Sequence, residues 1–164
     1  MLEKMVEKYR IIDAVGNDVG KIKDVYLNIK TWNVSAIEYS PGALKKDRAF
    51  RIDQINRMDY EKSQIILNEG FEDMEKVDKA KSDLYPFQQL KKLNVVDKDG
   101  EKVGKVYNLD IPIEKLKNFK VWKVLIKVGM KERRLRLPTS EISSVMTDIN
   151  LAKSLEEYQE KVED

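Results

Sequence analysis

A nearly repeated segment is the feature of this sequence that most limits the folds open to it. Residues 12–25 read IDAVGNDVGKIKDV, and residues 96–109 read VDKDGEKVGKVYNL. Five positions carry the same residue in both copies: Asp13, Gly16, Val19, Gly20 and Lys21 in the first, and Asp97, Gly100, Val103, Gly104 and Lys105 in the second. Residues 34–42 also correspond to 121–129. A repeat of this length predicts two copies of one small structural unit within the chain.

Each copy has the pattern of a small antiparallel β unit. In the second copy an Asp-Gly pair at 99–100 supplies a tight hairpin turn, and apolar and polar residues alternate over 103–108. Residues 121–127 are rich in β-branched and aromatic side chains. In 134–137 arginine alternates with leucine, as in a half-buried edge strand. We therefore predict a mostly β fold with two tandem small antiparallel β-barrels, a short linker and a C-terminal α-helix.

The repeat sets the predicted domain boundaries. We place the first repeat at residues 1–70 and the second at 90–151, joined at 71–89 by a charged linker with weak helical spacing. An amphipathic helix is predicted over 152–164, because four apolar side chains recur on one helical face. These are Leu151, Leu155, Tyr158 and Val162. Such a stripe can pack on its own barrel or lie in the groove of a partner, and both interpretations remain open.

The sequence contains neither histidine nor cysteine. Their absence excludes disulfides, thiolate nucleophiles, histidine-containing triads and metal sites built from these residues. Carboxylates, lysines, tyrosines and hydroxyls remain, but no acid–base pattern stands out among them. We therefore predict that the chain is not an enzyme and that it has no catalytic residues, no cofactor and no metal.

The charges are numerous but nearly balanced, with 31 basic and 29 acidic side chains and a net charge of +2. A nucleic-acid-binding domain usually carries a clear basic excess, so nucleic acid is the less favoured partner. Interspersed lysine and glutamate resemble the surfaces of heat-adapted proteins. No apolar run approaches the roughly 20 residues of a membrane helix. We predict a cytoplasmic protein without direct membrane insertion.

Four glycines invite comparison with a phosphate-binding loop. A P-loop needs four residues between its glycines and a Ser or Thr after its lysine. Here three residues separate each pair of glycines, and Ile or Val follows the lysine. We therefore assign Gly16, Gly20, Gly100 and Gly104 to structural turns and close backbone contacts. The alternate carboxylates after residue 96 lack the spacing of a calcium-binding loop, and we assign them to the same hairpin turn.

The strongest basic cluster lies in the second copy, over residues 131–136. Phe119 and Trp122 lie among further lysines nearby, so this region can stack on bases or bind a protein. Strand alternation places Arg134 and Arg136 on the exposed side. The predicted protein-binding residues are Trp122, Phe119, Arg134, Arg136 and Tyr158.

The repeated Gly-x-x-Val-Gly-Lys-Val/Ile pattern, followed by a strand and by the Leu-Pro-Thr-Ser-Glu-Ile of residues 137–142, resembles the PRC-barrel family. The second copy fits the pattern over residues 90–151. The first copy departs from it at residues 50–55, where Phe-Arg-Ile-Asp-Gln-Ile replaces the Pro-Thr-Ser turn. Relatives implied by this resemblance include the cytoplasmic part of the reaction-centre H subunit, the C-terminal domain of a bacterial ribosome maturation factor and stand-alone archaeal proteins.

The resemblance implies a binding role, since the family has no shared catalytic residues. A tandem, Lys/Glu-rich form fits the archaeal stand-alone class best, some of whose members act in assembly of the tubulin-like division ring. The resulting expectation is a non-enzymatic protein-binding adaptor or scaffold in archaeal cell-division assembly, with another protein or a second copy of the chain as partner. The alternative is an RNA- or ribosome-associated maturation factor, which predicts binding that depends steeply on salt.

Overall fold

The chain divides into two compact units, an N-terminal unit of Leu2–Phe87 and a C-terminal unit of Gln88–Asp164. This computed structural model describes residues 1–68, 72–73, 84–112, 120–130 and 133–163. Most of the predicted linker at 71–89 lies outside the described residues.

The N-terminal unit begins with a short helix and continues as a sheet of short strands. Its elements are α1 (Leu2–Lys8), β1 (Arg10–Ile12), β2 (Asp18–Asn28), β3 (Asn33–Ser40), β4 (Arg48–Arg51), β5 (Ile55–Asp59), β6 (Gln64–Leu67), β7 (Glu72–Asp73) and β8 (Leu84–Pro86). The described strands follow the order β5-β6-β1-β2-β3-β4-β7, and β8 pairs with β2. A turn of 3-10 helix, Ile52–Gln54, connects β4 to β5.

The C-terminal unit has the same plan. A helical turn, α2 (Phe87–Leu90), spans the boundary between the units. The elements that follow are β9 (Val95–Val96), β10 (Lys102–Asp110), β11 (Lys123–Val128), β12 (Arg133–Pro138), β13 (Ile142–Val145), β14 (Ile149–Leu151), α3 (Leu155–Tyr158) and β15 (Val162–Glu163). The described strands follow the order β13-β14-β9-β10-β11-β12-β15.

Seven strands of each sheet follow an equivalent order, and β8 is an addition to the N-terminal sheet. In each, the final hairpin returns its second strand alongside the first strand of the unit, so that β6 is parallel to β1 and β14 is parallel to β9. The remaining described pairs are antiparallel. The prediction of a mostly β chain with two small barrel-like units is confirmed, and each unit adds one parallel pair to the expected antiparallel pattern.

Both units bury the apolar side chains of their strands. In β12, Leu135 and Leu137 are buried while Arg134 and Arg136 are exposed, as the alternation predicts. The Tyr39 and Phe50 rings pack in the N-terminal unit with centroids 5.9 Å apart. The prediction of β12 as an open edge needs correction, because β15 covers part of it.

The C-terminal helix is shorter than the prediction of 152–164. It begins at Leu155 and ends at Tyr158, and a 3-10 turn then leads into β15. Ser154 caps its start, since the Glu157 carboxylate accepts hydrogen bonds from the Ser154 N–H and hydroxyl, both at 2.9 Å. Val162, the last residue of the predicted stripe, instead lies in β15 opposite Leu135. Pairing with β12 therefore replaces the last turns of the expected helix.

Helix length and composition also bear on the membrane prediction. In the described part of the chain, no helix is both long enough and apolar enough to cross a membrane.

Candidate functional site

In each of the two hairpin turns, one carboxylate accepts hydrogen bonds from backbone N–H groups. The Asp13 carboxylate accepts hydrogen bonds from the N–H groups of Val15 and Asn17, at 3.1 and 2.8 Å. Asp97 accepts equivalent bonds from Asp99 and Glu101, both at 2.9 Å. Among the described residues there is no cluster of three or more acidic side chains that could hold a metal ion. The Asp13 and Asp97 carboxylates therefore have a structural function as turn acceptors.

Asp97 has a further contact with the start of α3. Its second carboxylate oxygen accepts a hydrogen bond from the N–H of Leu155, the first residue of α3, at 2.8 Å. This bond is the largest cause that lowers the pKa of Asp97, and the turn N–H groups add to it. The hairpin turn thereby fixes the start of a helix that lies 58 positions later in the chain.

The four glycines divide into two structural classes. Gly16 and Gly100 lie in the turns with φ of +92° and +82°, which glycine adopts readily. Gly20 and Gly104 lie within β2 and β10, so their assignment to turns is corrected. A Cβ at Gly20 would lie 2.2 Å from the carbonyl oxygen of Ser40, and one at Gly104 would lie 1.9 Å from that of Lys127. These two glycines allow neighbouring strands to approach closely.

Trp122 is an exposed aromatic side chain on a hydrogen-bonded backbone. It is 58% exposed, whereas Trp32 of the N-terminal unit is only 6% exposed. The Trp122 N–H donates to the carbonyl of Asp110 at 2.8 Å, and its carbonyl accepts from the Thr139 N–H at 3.3 Å. The indole is thus presented at the start of β11 with its backbone held on both sides.

Cations lie side by side on the outer face of the C-terminal sheet. Lys105 of β10 is directly opposite Lys127 of β11, which is directly opposite Arg134 of β12. All three side chains are exposed. Arg136 lies two residues from Arg134 along β12, and Lys123 lies four residues from Lys127 along β11, so both are on the same face. We call these five residues the cationic face. Like charges at opposite positions destabilise a sheet, so fold stability does not explain this arrangement.

Few contacts offset the charge of the cationic face. Arg136 Nε lies 3.8 Å from a Glu163 carboxylate oxygen, and both side chains are largely exposed. Arg134 lies over the ring of Tyr107, with 5.7 Å between its Cζ and the ring centroid. Within the residues that the structure describes, no acidic side chain pairs with Lys123, Lys127 or Arg134.

The corresponding positions in the N-terminal unit do not form a row of cations. By the repeat, Lys105, Lys127 and Arg134 correspond to Lys21, Ser40 and Asp47. Lys23 forms ion pairs with both Asp47 and Glu38, the latter at 3.6 Å. The Tyr26 hydroxyl also donates to Glu38 at 2.5 Å. The two units therefore share a fold but present different outer faces, and among the residues that the structure describes the row of cations lies on the C-terminal one.

The predicted binding residues fall into three groups. Trp122, Arg134 and Arg136 are exposed in the C-terminal unit, whereas Phe119 lies outside the described residues. Tyr158 is 1% exposed, so its assignment to a partner-binding surface is corrected. Its hydroxyl donates to Glu141 at 2.8 Å and accepts from the Lys153 N–H at 3.1 Å, both within its own unit.

The sequence interpretation missed Lys105 and Lys127. Lys105 was noted only as part of the Gly-Lys motif, and no local sequence pattern marked Lys127 as a binding residue. Their opposition depends on the register between β10 and β11, in which residues 22 positions apart in the sequence become neighbours. The alternation within each strand would have placed them on the exposed side, but it does not specify which residues face each other across strands.

The sequence comparison bears on the N-terminal unit. The family model of the PRC-barrel domain matches residues 6–74. None of the curated proteins compared with the chain matches it. The matched segment includes the described strands β1 to β6, together with the turn at Gly16 and the strand glycine Gly20. Residues 6–74 therefore match the PRC-barrel domain, and the family resemblance is confirmed for this part of the chain.

Proposed function

We propose that this chain is a non-enzymatic adaptor that binds another protein through the surface around Trp122. The observation that carries this proposal is the exposed indole on a backbone that is already hydrogen-bonded at both ends. Binding such a side chain orders little additional backbone, so more of the burial free energy contributes to affinity. Tryptophan and arginine are also the residues most enriched at binding hot spots.

The surroundings of Trp122 support a protein partner. The next residue, Lys123, lies opposite Pro138, and Arg136 lies on the same strand as Pro138. An apolar ring beside cations suits a partner that combines an apolar contact with acidic side chains. The N-terminal unit has the half-buried Ser35 at the position that corresponds to Trp122. We therefore assign binding to the C-terminal unit, which we take to be a second PRC-barrel of the same plan.

The proposal extends from protein binding to a cellular role. The PRC-barrel match and the tandem arrangement support an adaptor in archaeal cell-division assembly, and in the family such roles involve docking without catalysis. Fold alone does not determine a cellular role, so the identity of the captured partner decides this point.

Trp122→Ala is expected to weaken capture of the native partner by at least about tenfold and to leave the thermal unfolding midpoint almost unchanged. The reason is that the exposed ring contributes to an interface and not to the core. The measurement is affinity capture from a lysate of the native organism, treated with nuclease and read by quantitative mass spectrometry. Met146→Ala is the matched control, because Met146 is 72% exposed in the same unit.

Equal capture by the wild type and by Trp122→Ala would contradict this role for Trp122. The cationic face favours a second candidate function, an RNA-associated factor, since lysine and arginine in rows bind phosphates. That function requires that ribosomal proteins are captured, that nuclease treatment abolishes their capture, and that binding falls steeply as the salt concentration rises. Capture of division-ring proteins that persists after nuclease treatment would support the adaptor function.

A further inference from the structure

The free edge of β12 is only partly covered. β12 contains six residues, and the described residues of β15 pair with two of them, Arg134 and Leu135. Within the described residues, the remaining part of that edge, from Arg136 to Pro138, has no neighbouring strand. An edge of this kind presents unpaired backbone groups that can accept another strand.

The segment that covers the edge shows which chemistry fits there. Val162 of β15 lies opposite the buried Leu135 and is itself half-buried. Glu163 lies opposite Arg134, and its carboxylate also reaches Arg136 at 3.8 Å. An apolar residue followed by an acidic one therefore matches the alternation of leucine and arginine along β12.

The equivalent strand of the N-terminal unit also accepts a strand at this edge. β7 pairs with β4, with Asp73 opposite Arg48 and Glu72 opposite Ala49. In both units the same edge of the sheet thus pairs with an extended segment from later in the chain. The recurrence indicates that this edge accepts an added strand, so the pairing at Val162 and Glu163 is not an isolated contact.

We propose that the edge of β12, together with the cationic face beside it, binds an extended acidic segment of a partner protein that takes the place of β15. This inference rests on the proposed function, because it specifies the protein partner. A partner strand with alternating apolar and acidic residues would pair along all of β12. Its acidic side chains would lie beside Arg134 and Arg136, with Lys127 on the neighbouring strand.

β15 then acts as an internal competitor. The partner binds only molecules from which β15 has separated, so the apparent affinity is reduced by the fraction of molecules in that state. Two paired residues are a small contact, and a longer strand gains more backbone hydrogen bonds with β12. A nucleic acid does not reproduce this ladder of peptide groups, which is why the edge favours a polypeptide over RNA.

The test uses a defined probe. A fluorescein-labelled peptide, Gly-Val-Glu-Val-Glu-Val-Glu-Gly, is titrated with the full chain and with a chain that ends at Lys161, and anisotropy is measured at low and physiological salt. The truncated chain is expected to bind about tenfold more tightly, because the competitor is gone. The double variant Glu163→Gln/Asp164→Asn removes the same charges but keeps the strand, and is expected to gain less than about threefold.

Arg136→Gln in the full chain is a second variant, which does not depend on how the truncated chain folds. It is expected to bind the peptide about fivefold more weakly, because it removes a cation beside the edge. Its thermal midpoint should match the wild type, since Arg136 is exposed and its ion pair with Glu163 is on the surface.

Three results would overturn the inference. Equal gains for the truncation and for the charge-neutralised double variant would show that only charge matters. Tighter binding of an eight-residue oligouridylate than of the peptide would identify a nucleic-acid surface. No peptide binding by any form would exclude the site. The peptide is synthetic, so its binding does not depend on the native partner that the lysate experiment captures. Equal capture by the wild type and by Trp122→Ala would contradict the proposed function and leave the peptide result unchanged.

Discussion

Gly104→Ala is expected to lower the free energy of unfolding of the C-terminal unit by about 3 kcal/mol. A Cβ at this position would lie 1.9 Å from the carbonyl oxygen of Lys127 and 2.9 Å from its carbonyl carbon. Both atoms belong to the backbone of β11, so no side chain can rotate away to make room. The strands must separate, and the pairing that sets Lys105 opposite Lys127 would be disturbed with them.

Urea titration followed by far-UV circular dichroism measures this loss, because unfolding of the C-terminal sheet removes its strand signal. Gly100→Ala is the matched control. Gly100 has a φ of +82°, but no atom lies within 4 Å of its Cβ position, so only local backbone strain of about 1 kcal/mol is expected. If the two variants lose the same free energy, close approach of the strands is not what the glycine at position 104 provides.

The same contact recurs in the other unit, where a Cβ at Gly20 would lie 2.2 Å from the carbonyl oxygen of Ser40. This recurrence explains why the second glycine and the lysine of the motif repeat together. The glycine allows β2 or β10 to approach its neighbour, and the lysine that follows points to the outer face. The repeat visible in the sequence is therefore a constraint of strand packing, and the phosphate-loop comparison fails for a physical reason.

Local pattern was sufficient for the hairpin turn at 99–100 and for the alternation along β12. The Asp-Gly pair at 99–100 and the Arg-Leu alternation at 134–137 each depend on neighbours within a few residues, and both structures formed as predicted. The same is true of the exposed sides of Arg134 and Arg136. Where periodicity alone determines burial, the sequence carries the necessary information.

Local pattern did not predict the contacts between segments that are distant in the sequence. The apolar spacing of Leu155, Tyr158 and Val162 fits a helix, but β12 offers unpaired backbone groups that Val162 and Glu163 can satisfy. The hydrogen bond from the Leu155 N–H to Asp97 likewise joins residues that are 58 positions apart in the sequence. The candidate site shows the same limitation, since Trp122 could be named from the sequence whereas the opposition of Lys105, Lys127 and Arg134 follows only from register.

Tyr158→Ala is expected to cost about 4 kcal/mol of unfolding free energy, because the ring is almost fully buried and leaves a cavity. Tyr158→Phe keeps the ring and is expected to cost only about 1 kcal/mol, through loss of the hydroxyl's contacts with Glu141 and the Lys153 N–H. Urea denaturation at neutral pH measures both. Equal losses would show that the hydroxyl, and not the packing of the ring, dominates the contribution of Tyr158.

The pH dependence of these variants separates the two effects further. The hydrogen bond from Tyr158 is the main cause that lowers the pKa of Glu141, so its stabilising effect is present above the ordinary carboxylate pKa and is lost as pH falls through the lowered value. Burial, followed by the bond to Glu141, raises the pKa of Tyr158 to about 12. Stability should therefore also fall as pH rises from about 10 towards 12, because only the unfolded chain ionises there.

Tyr158→Phe is expected to flatten both limbs of the stability profile, since it removes the donor to Glu141 and the ionisable group together. Tyr107→Phe, which deletes a hydroxyl elsewhere in the same unit, should leave the acid limb unchanged. Urea midpoints between pH 3 and pH 11 provide the measurement. A profile for Tyr158→Phe that runs parallel to the wild type at every pH would mean that the pair with Glu141 does not couple protonation to folding. The short helix would then be held by the packing of Tyr158 at its end, and by the Asp97 carboxylate and the Ser154 cap at its start.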